Sequence, residues 1–241
     1  MTSLRLLITR PEPDAQGTAA SLRALGHEVL VMPLLRIEPV DDADFGPESW
    51  AAIVMTSANA ARAVAVHRRF SALRAVPSFV VGERTRDVAQ AVGFADVTSA
   101  GGNAAALARL VRARLSPDAG PLLYLAGEQR GTELESALRD FVLRVVVTYR
   151  AVALTELSQG VKAALVAGEI DGILHFSRRS ADAFVVAAEA AGALHNALAA
   201  RHYCLSAQVA AAFANEPAAR MQVAARPDEQ ALIALVTLAQ C

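Results

Sequence analysis

Short apolar runs alternate with amphipathic segments along the whole chain, and that alternation leaves few folds open. The runs fall at 4–7, 28–34, 52–55, 79–81, 122–125, 145–149, 172–176, 202–205 and 221–224. Segments of helical character follow most of them, at 14–25, 58–70, 84–92, 103–115, 132–141, 157–167, 179–191, 207–214 and 228–239. Strands alternating with helices of this length predict parallel sheets covered on both faces. Gly26, Gly93, Gly168 and Gly192 stand where helices should stop. Pro33, Pro39, Pro47 and Pro77 punctuate the first half, and 38–49, EPVDDADFGPES, is the most loop-like stretch. Apolar residues make up 54% of the chain and aromatics only 5%, so the core must be built from Ala, Val and Leu.

The chain also repeats itself. LLITRPEPDAQGTAASLRALGHEVLVMPLLRI (6–37) runs parallel to LLYLAGEQRGTELESALRDFVLRVVVTYRAV (122–152), with Leu6 on Leu122 and Val29 on Val145. IVMTSANAARAV (53–64) matches ILHFSRRSADAF (173–184), with Ser57 on Ser177 and Ala61 on Ala181. FVVGERTRDVA (79–89) corresponds to YCLSAQVAAA (203–212), and VTSAGGNAAALARLV (97–111) to VAARPDEQALIALV (223–236). The offset drifts upward along the chain, as loop insertions cause. Two α/β units of similar design follow, which suits 241 residues as two modest domains.

Several function classes drop out. A net charge of −1 gives no field toward nucleic acid or a membrane surface. Two cysteines as distant as Cys204 and Cys241 form neither a disulfide framework nor a zinc cluster. The start, LRLLITR, has no charged-then-apolar leader, and no uncharged apolar run approaches a bilayer span. A soluble, cytoplasmic protein is expected. There is no G-x-S-x-G elbow, Walker loop or G-x-G-x-x-G after a strand. The histidines show no metal-ligand spacing, and His175, inside an apolar strand, reads as a satisfied core residue.

The chemistry gathers at the strand-to-helix corners. In a parallel sheet the strand C-termini share one edge, where ligands of open α/β sheets bind. The corners are Thr9-Arg10, Thr56-Ser57-Asn59, Gly82-Glu83-Arg84-Thr85, Gly127-Glu128-Gln129-Arg130, Ser177-Arg178-Arg179-Ser180 and Ser206-Ala207-Gln208. Each leads into a helix N-terminus with free N–H groups, a set that suits an anion with several separated charges. Ser, Thr and Asn here are also ordinary N-caps, each worth about 1 kcal/mol. A cap needs no neighbouring cation, so Arg10, Arg84, Arg130, Arg178 and Arg179 add weight to the ligand reading. Tyr149 closes the β-branched run VVVTYRAVAL. It is either a packing residue with a wetted hydroxyl or a phenol able to donate a proton.

In the order and spacing of LLITRPEPDA, LGHEVLVMPLLRIEP, IVMTSANAARAV, FVVGERT, GGNAAALA, LLYLAGEQR, VVVTYRAV, IDGILHFSRRSADAF and RPDEQALIAL, the chain resembles the uroporphyrinogen-III synthase family over essentially its full length. The resemblance implies two similar flavodoxin-like parallel-sheet domains, joined by a two-stranded connection, with the substrate cleft between them. Residues 1–34 with 153–241 would form one domain and 41–145 the other, with 35–40 and 146–152 as linker strands. The implied reaction closes hydroxymethylbilane to uroporphyrinogen III, with ring D inverted and water lost. It needs no metal or other cofactor. Loss of the hydroxyl leaves a reactive conjugated cation, and unguided closure gives the wrong isomer. Catalysis is then mostly positioning and desolvation, with one proton donor for the leaving hydroxyl.

By its place in the matching motif Tyr149 is the candidate donor. Thr9, Arg10, Thr56, Ser57, Asn59, Gly82, Thr85, Arg130, Ser177, Ser180, Ser206 and Gln208 are the candidate substrate contacts. The expected partners are the tetrapyrrole and, transiently, the enzyme supplying it; neither nucleic acid nor membrane is expected, and the chain should act as a monomer. A non-catalytic two-lobed binding protein for a small anion is the competing reading, since two α/β lobes joined by two strands also describe ligand-binding clamshells.

Overall fold

The computed structural model describes residues 2–46 and 49–238; Pro47, Cys241 and the last residue of the 228–239 segment lie outside the described residues. The chain opens with β1 (Arg5–Ile8), α1 (Asp14–Ala24), β2 (Glu28–Val31) and β3 (Leu35–Pro39). It continues through β4 (Ala52–Met55), α2 (Ala58–Ala65), α3 (Phe70–Leu73), β5 (Ser78–Val80), α4 (Glu83–Ala91), β6 (Val97–Ser99) and α5 (Ala104–Arg114). Then come β7 (Leu122–Gly127), α6 (Glu133–Ala137), β8 (Leu143–Ala153), α7 (Gln159–Val166), β9 (Gly172–His175) and α8 (Arg178–Ala190). The last elements are α9 (Leu194–Ala199), β10 (Arg201–Cys204), α10 (Ala207–Ala210), β11 (Arg220–Val223) and α11 (Glu229–Leu238).

Two compact units result, Met1–Arg36 with Val152–Cys241 and Ile37–Ala151. The first carries a five-stranded sheet in the order β2-β1-β9-β10-β11, with every neighbouring pair parallel. Numbered along its own chain, that order is 2-1-3-4-5. The second carries β8-β7-β4-β5-β6, again with parallel neighbours, and β3 outside β8. Taking β7 and β8 as its first two strands gives 2-1-3-4-5 once more. The repeat seen in the sequence therefore lands on equivalent strands, β1 on β7, β9 on β4, and β10 on β5. Bonds from the Val40 N–H to the Thr148 carbonyl and from the Leu154 N–H to the Leu34 carbonyl run β3 antiparallel to β8.

All residues of β4 and β7 are buried, as strands covered on both faces must be. Their side chains alternate between two cores. Ile53, Met55, Leu123 and Leu125 pack with Ala60, Ala61 and Val64 of α2, whereas Ala52, Val54 and Leu122 pack with Leu107, Ala108 and Val111 of α5. Small alanines let the helices lie close, and each fully buried Leu or Val contributes about 1.5–3 kcal/mol. Gly26 and Gly168, with φ of 88° and 69°, end α1 and α7 in the left-handed region.

Three segments differ from the sequence expectation. The 58–70 segment leaves the helix at Ala65, because the His67 ring accepts the Arg69 N–H and closes a turn. The 132–141 segment stops at Ala137, where the Arg112 guanidinium takes the Ala137 carbonyl and the Asp140 carboxylate. A further helix, α9, follows the stop at Gly192, where the pattern of apolar runs gave no separate signal.

Candidate functional site

The corner serines are first of all caps. Ser57 accepts the Asn59 N–H at 3.2 Å, Ser177 the Ser180 N–H at 3.1 Å and Ser206 the Val209 N–H at 3.4 Å. Ser180 is fully buried and its hydroxyl accepts from Ser177 Oγ at 3.0 Å. Asn59 accepts from Arg62 at 2.9 Å, Gly82 opens α4, and Thr85 is buried in that helix's first turn. Gln208 stays exposed on α10. Arg178 faces Asp182 at 3.6 Å.

In the second unit the corners after β4 and β7 meet. These are the two central strands between which the order reverses, the place where open α/β sheets hold ligands. A pocket of about 270 Å³ lies there, and its lining includes Thr56, Ser57, Tyr124, Gly127, Arg130 and Tyr149. Thr56, Ser57, Arg130 and Tyr149 are thus brought together, whereas Asn59, Gly82 and Thr85 are outside the lining. The Arg130 guanidinium is anchored by Glu135 at 2.9 Å, and Glu133 also borders the pocket.

Tyr149 reaches this pocket through an irregularity. Along β7 and β8 Ala126 pairs with Val147, but Gly127 pairs with Tyr149, so the register shifts by one residue at Thr148. Thr148 holds the irregularity by donating to the Ala126 carbonyl at 3.2 Å, and the Glu128 N–H donates to the Tyr149 carbonyl at 3.0 Å. An extra residue of this kind re-aims the side chains after it. The Tyr149 ring lies over Gly127: a β-carbon there would stand 2.7 Å from Tyr149 Cζ and 2.8 Å from its hydroxyl. That hydroxyl makes no hydrogen bond among the described residues, so it is available to a ligand.

Tyr124 is a polar pocket residue that the sequence did not single out. Its ring is buried in β7 and its hydroxyl lies 2.9 Å from Thr56 Oγ1. Burial raises its phenol above the ordinary tyrosine value, so it stays protonated. Its neighbours Leu122, Leu123 and Leu125 give it the look of a core residue; only a hydroxyl in an otherwise apolar run hinted at a partner.

The first unit's corners after β1 and β9 are engaged internally. Thr9 is fully buried and donates to the Leu174 carbonyl at 3.1 Å. The Arg10 guanidinium meets Asp14 at 3.1 Å, Glu229 at 3.0 Å and Thr18 at 3.0 Å, and sits 4.1 Å above the Phe176 ring. Its side chain is only 10% exposed. A larger hollow of about 700 Å³, bordered by Thr2, Asp171, Arg201 and Arg220, lies at the opposite end of these strands, away from the corners.

His175 is the satisfied core histidine that its apolar strand suggested. Its Nε2 lies 3.1 Å from His202 Nδ1, and His202 Nε2 lies 3.1 Å from the Ala197 carbonyl. A carbonyl only accepts, so His202 donates through Nε2, accepts at Nδ1, and fixes His175 as the Nε2–H tautomer. Phe184 and Phe213 pack edge-on against the pair. Burial holds both rings neutral, lowering His175 well below its ordinary value and His202 to about 4. Below pH 6.5 the unfolded chain takes up protons at these rings while the folded chain does not, so stability is fully present above that pH and falls toward pH 4. By pH 5, His202 alone removes about 2 kcal/mol. The melting temperature should drop by roughly 5 °C or more between pH 7.5 and pH 5. An unchanged melting temperature across that range would show that the rings are not held neutral.

Among the described residues no group of three His, Cys, Asp or Glu side chains is placed to hold a metal ion, and no helix is long and apolar enough to cross a membrane. The family model of uroporphyrinogen-III synthase HemD matches residues 16–234. Among solved structures, uroporphyrinogen-III synthetase from Helicobacter pylori superposes with a TM-score of 0.65 at 16% identity, over 99% of this chain and 100% of that one. A mutant uroporphyrinogen III synthase from the extremely thermophilic bacterium Thermus thermophilus gives 0.56 at 15% identity, over 99% of each chain. At such identities the likeness is one of fold. A search of curated proteins by sequence finds no match.

Proposed function

The chain belongs to the uroporphyrinogen-III synthase family, and from that premise we propose that the pocket between the ends of β4 and β7 holds one reacting part of the tetrapyrrole, with Tyr149 as proton donor. The activity is that of a cyclising lyase of tetrapyrrole biosynthesis, converting hydroxymethylbilane to uroporphyrinogen III with loss of water. The observation that carries the site is the Tyr149 hydroxyl, unbonded among the described residues and standing over Gly127 beside Thr56, Ser57 and Arg130.

The pocket is a little smaller than the ~300–1,000 Å³ that encloses a whole drug-sized ligand. It therefore suits one substituted pyrrole rather than the tetrapyrrole. Tyr149 donates its proton to the leaving hydroxyl as the carbon–oxygen bond breaks, water departs, and the conjugated cation remains. The proton released when the attacked pyrrole regains its aromaticity restores the phenol. Thr56, Ser57 and Arg130 hold a carboxylate of the same ring.

Asn59, Gly82 and Thr85 shape corners of the second unit that offer helix N–H groups to other carboxylates of the substrate. In the first unit Thr9, Ser177, Ser180 and Ser206 serve that unit's own packing and capping, and Arg10 holds its corner together rather than touching substrate. The 2-1-3-4-5 strand order supports a flavodoxin-like reading of both units, with 35–40 and 146–152 as linkers. The same reading has the chain work as a monomer in the cytoplasm, without a cofactor, receiving an unstable substrate from the enzyme that makes it.

The purified protein should convert hydroxymethylbilane to the III isomer in excess. Only the I isomer, at the spontaneous ratio, would count against the activity. Saturable binding of a simple anion with no turnover of bilane would favour the clamshell binding protein.

A further inference from the structure

We infer that Tyr124 is a positioning residue for the reaction: its phenol locks Thr56 as a hydrogen-bond donor aimed into the pocket. The inference rests on the reading of that pocket as the place where a substrate carboxylate is held.

Proton bookkeeping fixes the direction of the bond. Tyr124 and Thr56 oxygens are 2.9 Å apart, and either could donate on distance alone. The Tyr124 side chain is buried, and Thr56 is its only hydrogen-bond partner among the described residues. If Thr56 donated to Tyr124, the phenolic proton of a residue only 2% exposed would have no protein acceptor among the described residues, at a cost of about 1–3 kcal/mol. If Tyr124 donates, its proton is satisfied and Thr56 keeps its own. Thr56 has no other side-chain partner among the described residues, and it borders the pocket. Its remaining proton therefore points at the ligand rather than at the protein.

The phenol suits this task better than a carboxylate or an imidazole. It cannot lose its proton near neutral pH, and burial raises its pKa further. A hydroxyl that already accepts a hydrogen bond is also polarised to donate a stronger one. Ser57 differs from Thr56 here, because its oxygen is occupied by the Asn59 N–H of its own helix. The corner thus backs its two hydroxyls differently: Ser57 accepts from its own helix while capping α2, and Thr56 accepts from Tyr124 on the neighbouring strand.

The test is a double-mutant cycle on steady-state kinetics with hydroxymethylbilane. Thr56→Val should raise KM by ~5-fold or more, the usual worth of one donor, with kcat little changed. Tyr124→Phe should raise KM in the same direction by a smaller factor. The double variant should be no worse than Thr56→Val alone, because Tyr124 acts only through that hydroxyl. Thr56→Ser, which keeps the hydroxyl, should retain sensitivity to Tyr124→Phe. A merely structural Tyr124 would lower the melting temperature in all backgrounds without splitting KM from kcat. If the two changes multiply, or Tyr124→Phe leaves KM at the wild-type value while Thr56→Val raises it, the positioning role is wrong and the carboxylate pocket stands. If Thr56→Val leaves KM unchanged, both fail.

Discussion

Replacing Tyr149 with Phe is expected to lower kcat by about 10²-fold or more, the range for removing a general acid, with KM nearly unchanged and the melting temperature within a degree or two of wild type. The expectation of intact folding comes from the hydroxyl's surroundings. It bonds to nothing among the described residues, so its removal leaves no buried group unpaired, and the remaining phenyl can still lie over Gly127. Residual turnover is expected, because positioning is shared among many contacts and loss of the hydroxyl also proceeds slowly without help. Gly127→Ala should imitate the defect while keeping the phenol. Its β-carbon would stand 2.7 Å from Tyr149 Cζ, closer than carbon atoms approach, so the ring must swing away. A displacement near 1 Å can cost about 10²-fold when a reacting group is misplaced. Near wild-type turnover in Tyr149→Phe would remove Tyr149 from the chemistry. A defect in Gly127→Ala alone would then mark the pocket's shape as the sensitive element.

The sequence shows Tyr149 but not how it gets to the pocket. A β-branched run announces a strand, and its period of two assigns alternate residues to opposite faces. The one-residue shift at Thr148 breaks that period, and Thr148 looks like an ordinary strand residue. Alternation and the repeat were enough to place both sheets, because apolar runs flanked by alanine-rich helices have few ways to be buried. Corner hydroxyls were equally legible as caps, since a cap bonds to an N–H two or three residues ahead. Tyr124 was missed because its partner Thr56 lies on another strand, brought alongside only by the β4–β7 pairing. Arg10 illustrates the same limit: its Thr-Arg corner reads locally as an anion site, and the sequence carries no sign that Glu229, far along the chain, stands beside it. Local pattern reveals which residues are polar at an edge; long-range pairing decides whether they face a ligand or each other.

Arg10→Met is accordingly expected to act on stability and not on substrate affinity. The guanidinium joins the corner after β1 to α1 through Asp14 and Thr18, and to α11 through Glu229. Arg10, Asp14 and Glu229 side chains are 10%, 17% and 30% exposed, so water compensates the loss of the cation only in part. Methionine keeps the apolar contact with Phe176 but removes the cation that both Asp14 and Glu229 meet. Breaking such a largely buried pair costs about 3 kcal/mol, which for a chain of this size lowers the melting temperature by roughly 10 °C. Adding Glu229→Gln should recover part of that loss, because one of the stranded charges is removed and its amide can still accept from Thr18. KM for the bilane should stay within about twofold of wild type at a temperature where the variant is folded, since less than about 0.5 kcal/mol of binding is at stake for a residue that does not touch ligand. The opposite pattern, an unchanged melting temperature with a KM raised about tenfold, would return Arg10 to the substrate site. The double variant separates the two roles further, because a ligand-binding arginine gains nothing from neutralising Glu229, whereas a structural one does.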